Sequence, residues 1–285
     1  MNSKRHSCTL CGSVETSFLF EYRGTDIYAD KLGLNEHPRW FVCRGCGVFF
    51  SIQYKDIDEV YLKTDLYDMQ YDSAGIKARY DKLLSLSEGC SDNHFRAMRV
   101  REFHKRYIKD FARESGECFE ILDIGAGTGV FLAKFLEKSY IGTALEINKI
   151  ASEHIRRELK IKVYDKFLNE LSFEKKFDII TMNKVIEHIK DPASIIGQIK
   201  KIIHKNGILY IEVPDSFSFE KEGDKSEAFG TGHHMVYNPD SLFYLMNKCG
   251  FEVLNLDRIT EPSTKSTIFI FARPKRIIDD TIIKT

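Results

Sequence analysis

Three groups of residues in this chain have types and spacings that could do chemistry. The first is Asp123 followed by Gly125, Gly127 and Gly129 in the stretch ILDIGAGTG, residues 121–129. Glycines lack a Cβ, so a ligand can approach that backbone closely. Glu146 stands 21 residues after Gly125, near the spacing of about 20 at which an acidic side chain accepts hydrogen bonds from ribose hydroxyls. An adenosine-like ligand is expected. The spacing is G-x-G-x-G and not G-x-G-x-x-G, so the pyrophosphate fingerprint is absent. Asp123 would repel a pyrophosphate but attract a cationic amino acid moiety, directly or through water.

The second group is four cysteines in two C-x-x-C pairs, Cys8 with Cys11 and Cys43 with Cys46, each followed by glycine, Gly12 or Gly47. That layout suits a tetrahedral structural Zn²⁺. The trailing glycine permits a positive φ and lets backbone N–H groups point at the thiolates. Four thiolates leave no open position for catalysis. The 31 residues between the pairs exceed the usual zinc-ribbon gap, so an inserted hairpin or loop is expected there. Cys90, Cys118 and Cys249 are scattered and are expected to bury as small apolar side chains. The third group is His233 and His234 on a glycine-rich loop. His234 could act as a general base, because imidazole titrates near neutrality and a hydroxyl nucleophile needs its proton removed; a structural or substrate-contacting role is the competing reading.

Certain elements must position these groups. Ile121, Leu122 and Ile124 read as a strand entering the glycine turn, and Val130 to Lys138 have helical spacing. Strands follow at Tyr140 to Glu146, Ile161 to Tyr164, Phe177 to Met182 and Gly207 to Val213, the last halted by Pro214, with helices at Ile150 to Leu159 and Pro192 to Ile203. Asn238-Pro239 reads as a cap and first helical residue, Gly250 closes that helix, and Glu252 to Leu256 and Thr267 to Ala272 complete seven strands. The alternation predicts an α/β fold with a Rossmann-like, doubly wound, seven-stranded sheet. Upstream, Asn93 to Phe111 predicts an amphipathic helix with Phe95, Met98, Phe103, Tyr107 and Phe111 toward one face. Its other side, Arg96, Arg99, Arg101, Lys105, Arg106 and Lys109, reads as a solvated charged face, with an arginine offered to an anionic substrate as the functional alternative. The expected organisation is a zinc-binding module at 1–55, a helical linker or cover at 56–113, a cofactor-binding domain at 114–275 and a tail at 276–285.

Composition narrows the classes. Hydrophobic content of 43% and charged content of 29% describe a soluble globular chain. Lys plus Arg is 42 and Asp plus Glu is 42, so no global basic field would gather nucleic acid, which is disfavoured as a partner. No run approaches the roughly 18 apolar residues of a membrane-spanning helix, and the N-terminus has no apolar signal region. A cytoplasmic location is expected.

The stretches ILDIGAGTG, ALEIN, FDIITMNKVIEHIKDP and GILYIEVPD resemble the sequential motifs of class I S-adenosylmethionine-dependent methyltransferases over roughly residues 90 to 273. Cys8 to Cys46 resembles the N-terminal zinc module of some members. The resemblance implies S-adenosylmethionine as cofactor, held by Gly125, Gly127 and Gly129, by Glu146 at the ribose, by Asn183 beside the methyl donor and by Asp123 near the amino group. Asp165 is a weaker adenine candidate, and Glu187 and His188 read as a helix start and packing. The segment Gly232 to Tyr237 is similar to the H-E-H-x-x-Y segment of zinc-module sugar C-methyltransferases. His234 falls on the second histidine there, and His233 replaces an acid. The activity implied is O-methylation of a sugar or glycan-related small acceptor, as in polysaccharide biosynthesis, with His234, and His233 beside it, as the base. C-methylation of a keto-sugar, RNA methylation and a non-catalytic interaction protein stay open as alternatives.

Overall fold

The structure, a computed structural model, describes residues 6–26, 29–30, 37–52, 73–110 and 118–276. Residues 53–72 and 111–117, which include Phe111 and the 56–72 and 111–113 parts of the expected linker, and the tail from 277 lie outside the described residues. Strands β4 (Phe119–Ile124), β5 (Tyr140–Leu145), β6 (Lys162–Tyr164), β7 (Phe177–Asn183), β8 (Ile203–Pro214), β10 (Phe251–Thr260) and β11 (Ser266–Pro274) form one sheet. Its order is β10-β11-β8-β7-β4-β5-β6. The five strands from β4 to β8 run parallel, and β11 is antiparallel to both neighbours. The sheet is thus the seven-stranded, Rossmann-like arrangement that the sequence predicts. Strand order reverses at β4, whose neighbours β5 and β7 carry the chain to opposite sides, so the ends of these strands frame a crevice.

Strand side chains alternate between faces, and here both faces are covered. Leu122, Ile180, Leu209 and Ile270 point into one core with Ile196 and Ile199 of α5 (Pro192–Ile202) and Leu242 and Leu245 of α7 (Pro239–Lys248). Ile121, Ile179, Ile208 and Phe271 point the other way. They meet α2 (Asp92–Tyr107), α3 (Val130–Phe135) and α4 (Lys149–Leu159) through residues such as Val100, Leu132 and Ile155. Central strands buried on both faces therefore read as continuous apolar runs.

A second, smaller sheet joins β1 (Thr16–Glu21), β2 (Arg39–Cys43) and β3 (Phe49–Ile52) to β9 (Met235–Val236). The antiparallel β1–β2 pair lies where a hairpin or loop is expected between the cysteine pairs. The fourth strand comes from the far end of the chain and pairs with β3 at Phe49↔Val236 and Phe50↔Met235. Trp40, fully buried, donates its Nε1–H to the carbonyl of Phe229 at 2.7 Å. It packs edge-on against the Phe229 ring.

Some expectations need correction. The helix after the glycine turn stops at Phe135 rather than Lys138, with Leu136 already extended. Helix α2 runs Asp92–Tyr107 with one further 3-10 turn, Ile108–Asp110. Its buried face is Arg96, Ala97, Val100 and His104, while Met98 is exposed. The arginine side is not uniformly solvated. Arg96 is buried, and Arg99 and Arg101 are half-buried. Cys90 and Cys118 are exposed and Cys249 is only half-buried, contrary to the expectation that all three bury.

Candidate active site

At the end of β4 the carboxylate of Asp123 is 1% exposed. Its Oδ1 accepts from the Thr181 hydroxyl at 2.6 Å and from Asn183 Nδ2 at 3.0 Å, both on β7. Burial pushes Asp123 up to about 7, although the Thr181 hydrogen bond, Arg96 and the Asn183 amide oppose the shift. The amide oxygen of Asn183 is buried without a partner. An acidic group beside an orphaned acceptor fits the ammonium and hydroxyl donors of an amino acid and ribose moiety. Thr181 was not identified from sequence, since nothing local marks a strand threonine as a carboxylate partner.

The turn wraps this point. Gly125 donates to Leu145 O at 2.8 Å with φ +71°, and a Cβ there would come within 2.5 Å of Val185 Cγ2. Gly127 has φ +55° and nothing within 4 Å of a Cβ position. It presents an open cradle to a ligand. Gly129 is the N-cap of α3. Glu146 is 6% exposed. Its Oε2 accepts from Gly127 N at 2.7 Å and its Oε1 from Asn148 N at 2.9 Å. Each carboxylate oxygen retains a lone pair for a ribose hydroxyl. Burial raises its pKa against these backbone bonds. Asp165, the weaker adenine candidate, is instead paired with Arg156 at 3.1 Å.

After β7 the chain reverses at Lys184, a non-glycine residue at φ +57°. A conformation of this kind costs of order 1–3 kcal/mol and persists only when surroundings enforce it. Here Lys184 N bonds Glu212 O at 2.8 Å, and its ammonium lies 3.4 Å from Glu261 Oε2. The same carboxylates take the arginines of α2. Arg96 pairs with Glu212 and, at 2.8 Å, with Glu261, while Arg99 Nη1 donates to Glu212 Oε2 at 3.1 Å and to Tyr210 OH at 2.7 Å. Burial works against ionised Glu212, but Arg96 and Lys184 hold its carboxyl well below the usual range. The charge of Arg96 is therefore matched internally.

The turn Ile186–His188 then meets the histidine loop. His188 Nδ1 donates to Gly232 O at 3.0 Å, His233 Nδ1 donates to Ala228 O at 2.7 Å, and the two rings lie 4.5 Å apart. Glu187 is 1% exposed, and its Oε2 has no hydrogen-bond partner. The backbone of His234 spans two elements: its N–H bonds Glu187 O and its carbonyl accepts from Ser51 N of β3. Ser51 Oγ also donates to His233 O at 2.8 Å. The histidine loop is thus joined to Glu187 through His234 and to His188 through His233, residues the sequence reads as a helix start and packing.

The four cysteine sulfurs lie within 4.8 Å of one another. Cys8 Sγ is 3.7 Å from Cys46 Sγ, and Cys11 Sγ is 3.5 Å from Cys43 Sγ. A tetrahedron with Zn–S bonds of about 2.3 Å has edges of about 3.8 Å, so the spacing fits the ion. Gly12 and Gly47 have φ of +81° and +77°, as the knuckle reading requires, and each donates to the carbonyl of the first cysteine of its pair. Gly47 O accepts from Asn238, the N-cap of α7.

Comparison with known proteins bears on this geometry. The profile of a protein family described as "Methyltransferase domain" matches residues 93–256. The ubiquinone biosynthesis O-methyltransferase of Pelagibacter ubique is 28% identical over 129 residues, 42% of this chain and 53% of that one. The protein of the same description from Rickettsia typhi is 27% identical over 124 residues, covering 42% and 48%. The chain spans about half the length of these curated relatives. A solved S-adenosylmethionine-dependent methyltransferase from Clostridium acetobutylicum superposes with a TM-score of 0.50 at 11% identity, over 77% of this chain and 99% of the other, a likeness of fold.

Proposed function

This chain belongs to the methyltransferase-domain family, and from that premise we propose that it is an S-adenosylmethionine-dependent methyltransferase that acts on an oxygen of a sugar or other small, hydroxyl-rich, glycan-related acceptor. One observation carries the acceptor side. The loop bearing His233 and His234 is held by Glu187 and Ser51 against the turn whose Val185 packs on Gly125, beside the cofactor cradle. The O-methyltransferase names of the curated relatives support oxygen as the accepting atom.

Bound S-adenosylmethionine supplies an electrophilic methyl group on a sulfonium. Asp123 and the orphaned Asn183 oxygen would hold its ammonium and neighbouring donors, Gly127 would leave room for its backbone approach, and Glu146 would take the ribose hydroxyls. His234 would accept the acceptor's proton, with His233 beside it orienting the acceptor. In an in-line displacement the protein mainly supplies such alignment and deprotonation. Structural Zn²⁺ would be held by Cys8, Cys11, Cys43 and Cys46, where four thiolates would leave it no open position and a structural role alone. The zinc-binding module spans 1–55, the linker 56–113 and the cofactor-binding domain 114–275, with β9 of the last pairing with β3 of the first.

The test is transfer from labelled cofactor to a panel of nucleotide sugars and small polyols, with the product's methyl position read by mass spectrometry and NMR. Methyl on oxygen, lost in His234→Ala with cofactor binding retained, is the expected result. Methyl on carbon would replace this reading with keto-sugar C-methylation, and transfer unchanged in His234→Ala would remove His234 from the mechanism.

A further inference from the structure

We propose that Glu187, His188 and His233 form a second metal site, open on one side, that binds a divalent first-row transition ion beside the methyl donor and chelates an acceptor carrying two neighbouring oxygens. The ion-binding part stands on this geometry alone, and the acceptor part rests on the function proposed above.

One ligand atom from each of the three residues lies within 4.8 Å of the others. Glu187 supplies a buried carboxylate oxygen with no hydrogen-bond partner. An unpaired buried carboxylate is costly, and a coordinated cation is one of the few groups that compensates it. Both imidazoles donate Nδ1–H to a backbone carbonyl, His188 to Gly232 and His233 to Ala228. Metal-ligating histidines are held in this way: the carbonyl fixes the tautomer whose Nε2 carries the lone pair and sets the ring plane. These carbonyls belong to the loop that Trp40 and Ser51 pin in place, so the rings are oriented by the fold.

The donor set discriminates among ions. Two imidazole nitrogens and one carboxylate suit Zn²⁺, Co²⁺, Fe²⁺ or Ni²⁺ better than Mg²⁺ or Ca²⁺, which want more oxygens. Three protein ligands leave positions open, unlike the four thiolates, and the cluster reaches the surface: His188 is exposed and His233 half-buried, while Glu187 is buried. An acceptor hydroxyl on the ion would ionise closer to neutrality. Its proton passes to His234, the oxygen pair forms the new O–C bond, and the C–S bond breaks with its electrons left on sulfur as a neutral thioether. A second acceptor oxygen on the same ion would set which hydroxyl reacts.

The experiment titrates full-length protein, with zinc already filling the thiolate site and excess metal removed, with Co²⁺ in the absence of acceptor. One further equivalent is expected, with weak visible bands and no strong thiolate charge-transfer absorption. Glu187→Gln and the double variant His188→Gln/His233→Gln should weaken it about tenfold or more. Absence of the extra equivalent, or an affinity unchanged in the double variant, overturns the site. Should the variants fail to fold, pulsed EPR of Cu²⁺ added to the wild type reads coordinated imidazole directly: two ring nitrogens are expected, and none overturns it. Cofactor affinity is measured in parallel. Its loss would remove the proposed function without touching the metal result, and metal failure with intact cofactor binding would remove this inference alone.

Discussion

Asp123 is held between opposing demands, and that makes it testable. Its burial favours the neutral acid, whereas Thr181, Arg96 and Asn183 favour the anion, as the ammonium of the proposed cofactor would. With a folded value of about 7 against an ordinary value near 3.9, the ligand-free protein binds a proton here that the unfolded chain has released. Its contribution to stability is therefore present below about pH 4 and is lost as pH rises toward 7. Cofactor binding should run the other way, because the cationic moiety selects the ionised form. Its affinity should tighten about tenfold between about pH 6 and pH 8. Asp123→Asn should flatten that slope and weaken binding, while raising the melting temperature of the ligand-free protein at pH 8. Calorimetric titration across pH, with thermal melts of both proteins, measures these effects; an unchanged slope in Asp123→Asn would assign the titration to another group.

At the scale of elements, helix α2 is fastened to the sheet by charge as much as by apolar contact. Arg96 reaches Glu212 and Glu261, and Lys184 and Thr267 reach the same Glu261 carboxylate. Removing one member of a buried ion network costs about 3–5 kcal/mol, because the remaining charges are left unpaired. Arg96→Met should therefore lower unfolding free energy by roughly that much in chemical denaturation. It should also speed hydrogen exchange in α2 and at Lys184 while leaving β4 and β5 protected. A loss under about 1 kcal/mol would mean the carboxylates find other partners. This network also marks where sequence stops being legible. The sheet was readable because apolar runs, glycines and capping residues are local signals: Asn148, Asp191 and Asn238 each cap the helix they precede. The glycine turn with Asp123 and Glu146 was readable for the same reason. Arg96, by contrast, meets partners 116 and 165 residues away, so no nearby residue distinguishes it from a solvated arginine. Glu187, His188 and His233 were missed as a group because only the fold brings the 186–188 turn to the 228–234 loop.

Over the whole molecule, the cysteine module and the larger sheet's half are built into each other. Cys8, Cys43, Cys46 and Phe50 share a core with Ile211, Tyr237 and Leu245. Beyond that core, β3 supplies the pairing for β9 and the Ser51 contacts to His233 and His234. The glycine turn and Asp123 belong to the larger sheet, where Asp123 is bonded to Thr181 and Asn183 of β7. Loss of the thiolate site should therefore act on the acceptor side first. In small zinc modules, metal binding contributes about 10–16 kcal/mol to folding, so losing two of the four ligands should release β3 and, through it, β9 and the histidine loop. Cys11→Ser/Cys43→Ser is expected to keep cofactor affinity within about threefold of wild type, since the crevice ends of β4, β5 and β7 are held by the larger sheet. Methyl transfer should fall by about a hundredfold or more, because a displacement of order 1 Å at the reacting groups is enough for such a loss. Limited proteolysis should place the new cleavage within residues 227–236. A variant that loses cofactor binding and transfer in equal proportion would show instead that the two halves fold as one unit and that the module has no selective hold on the acceptor loop.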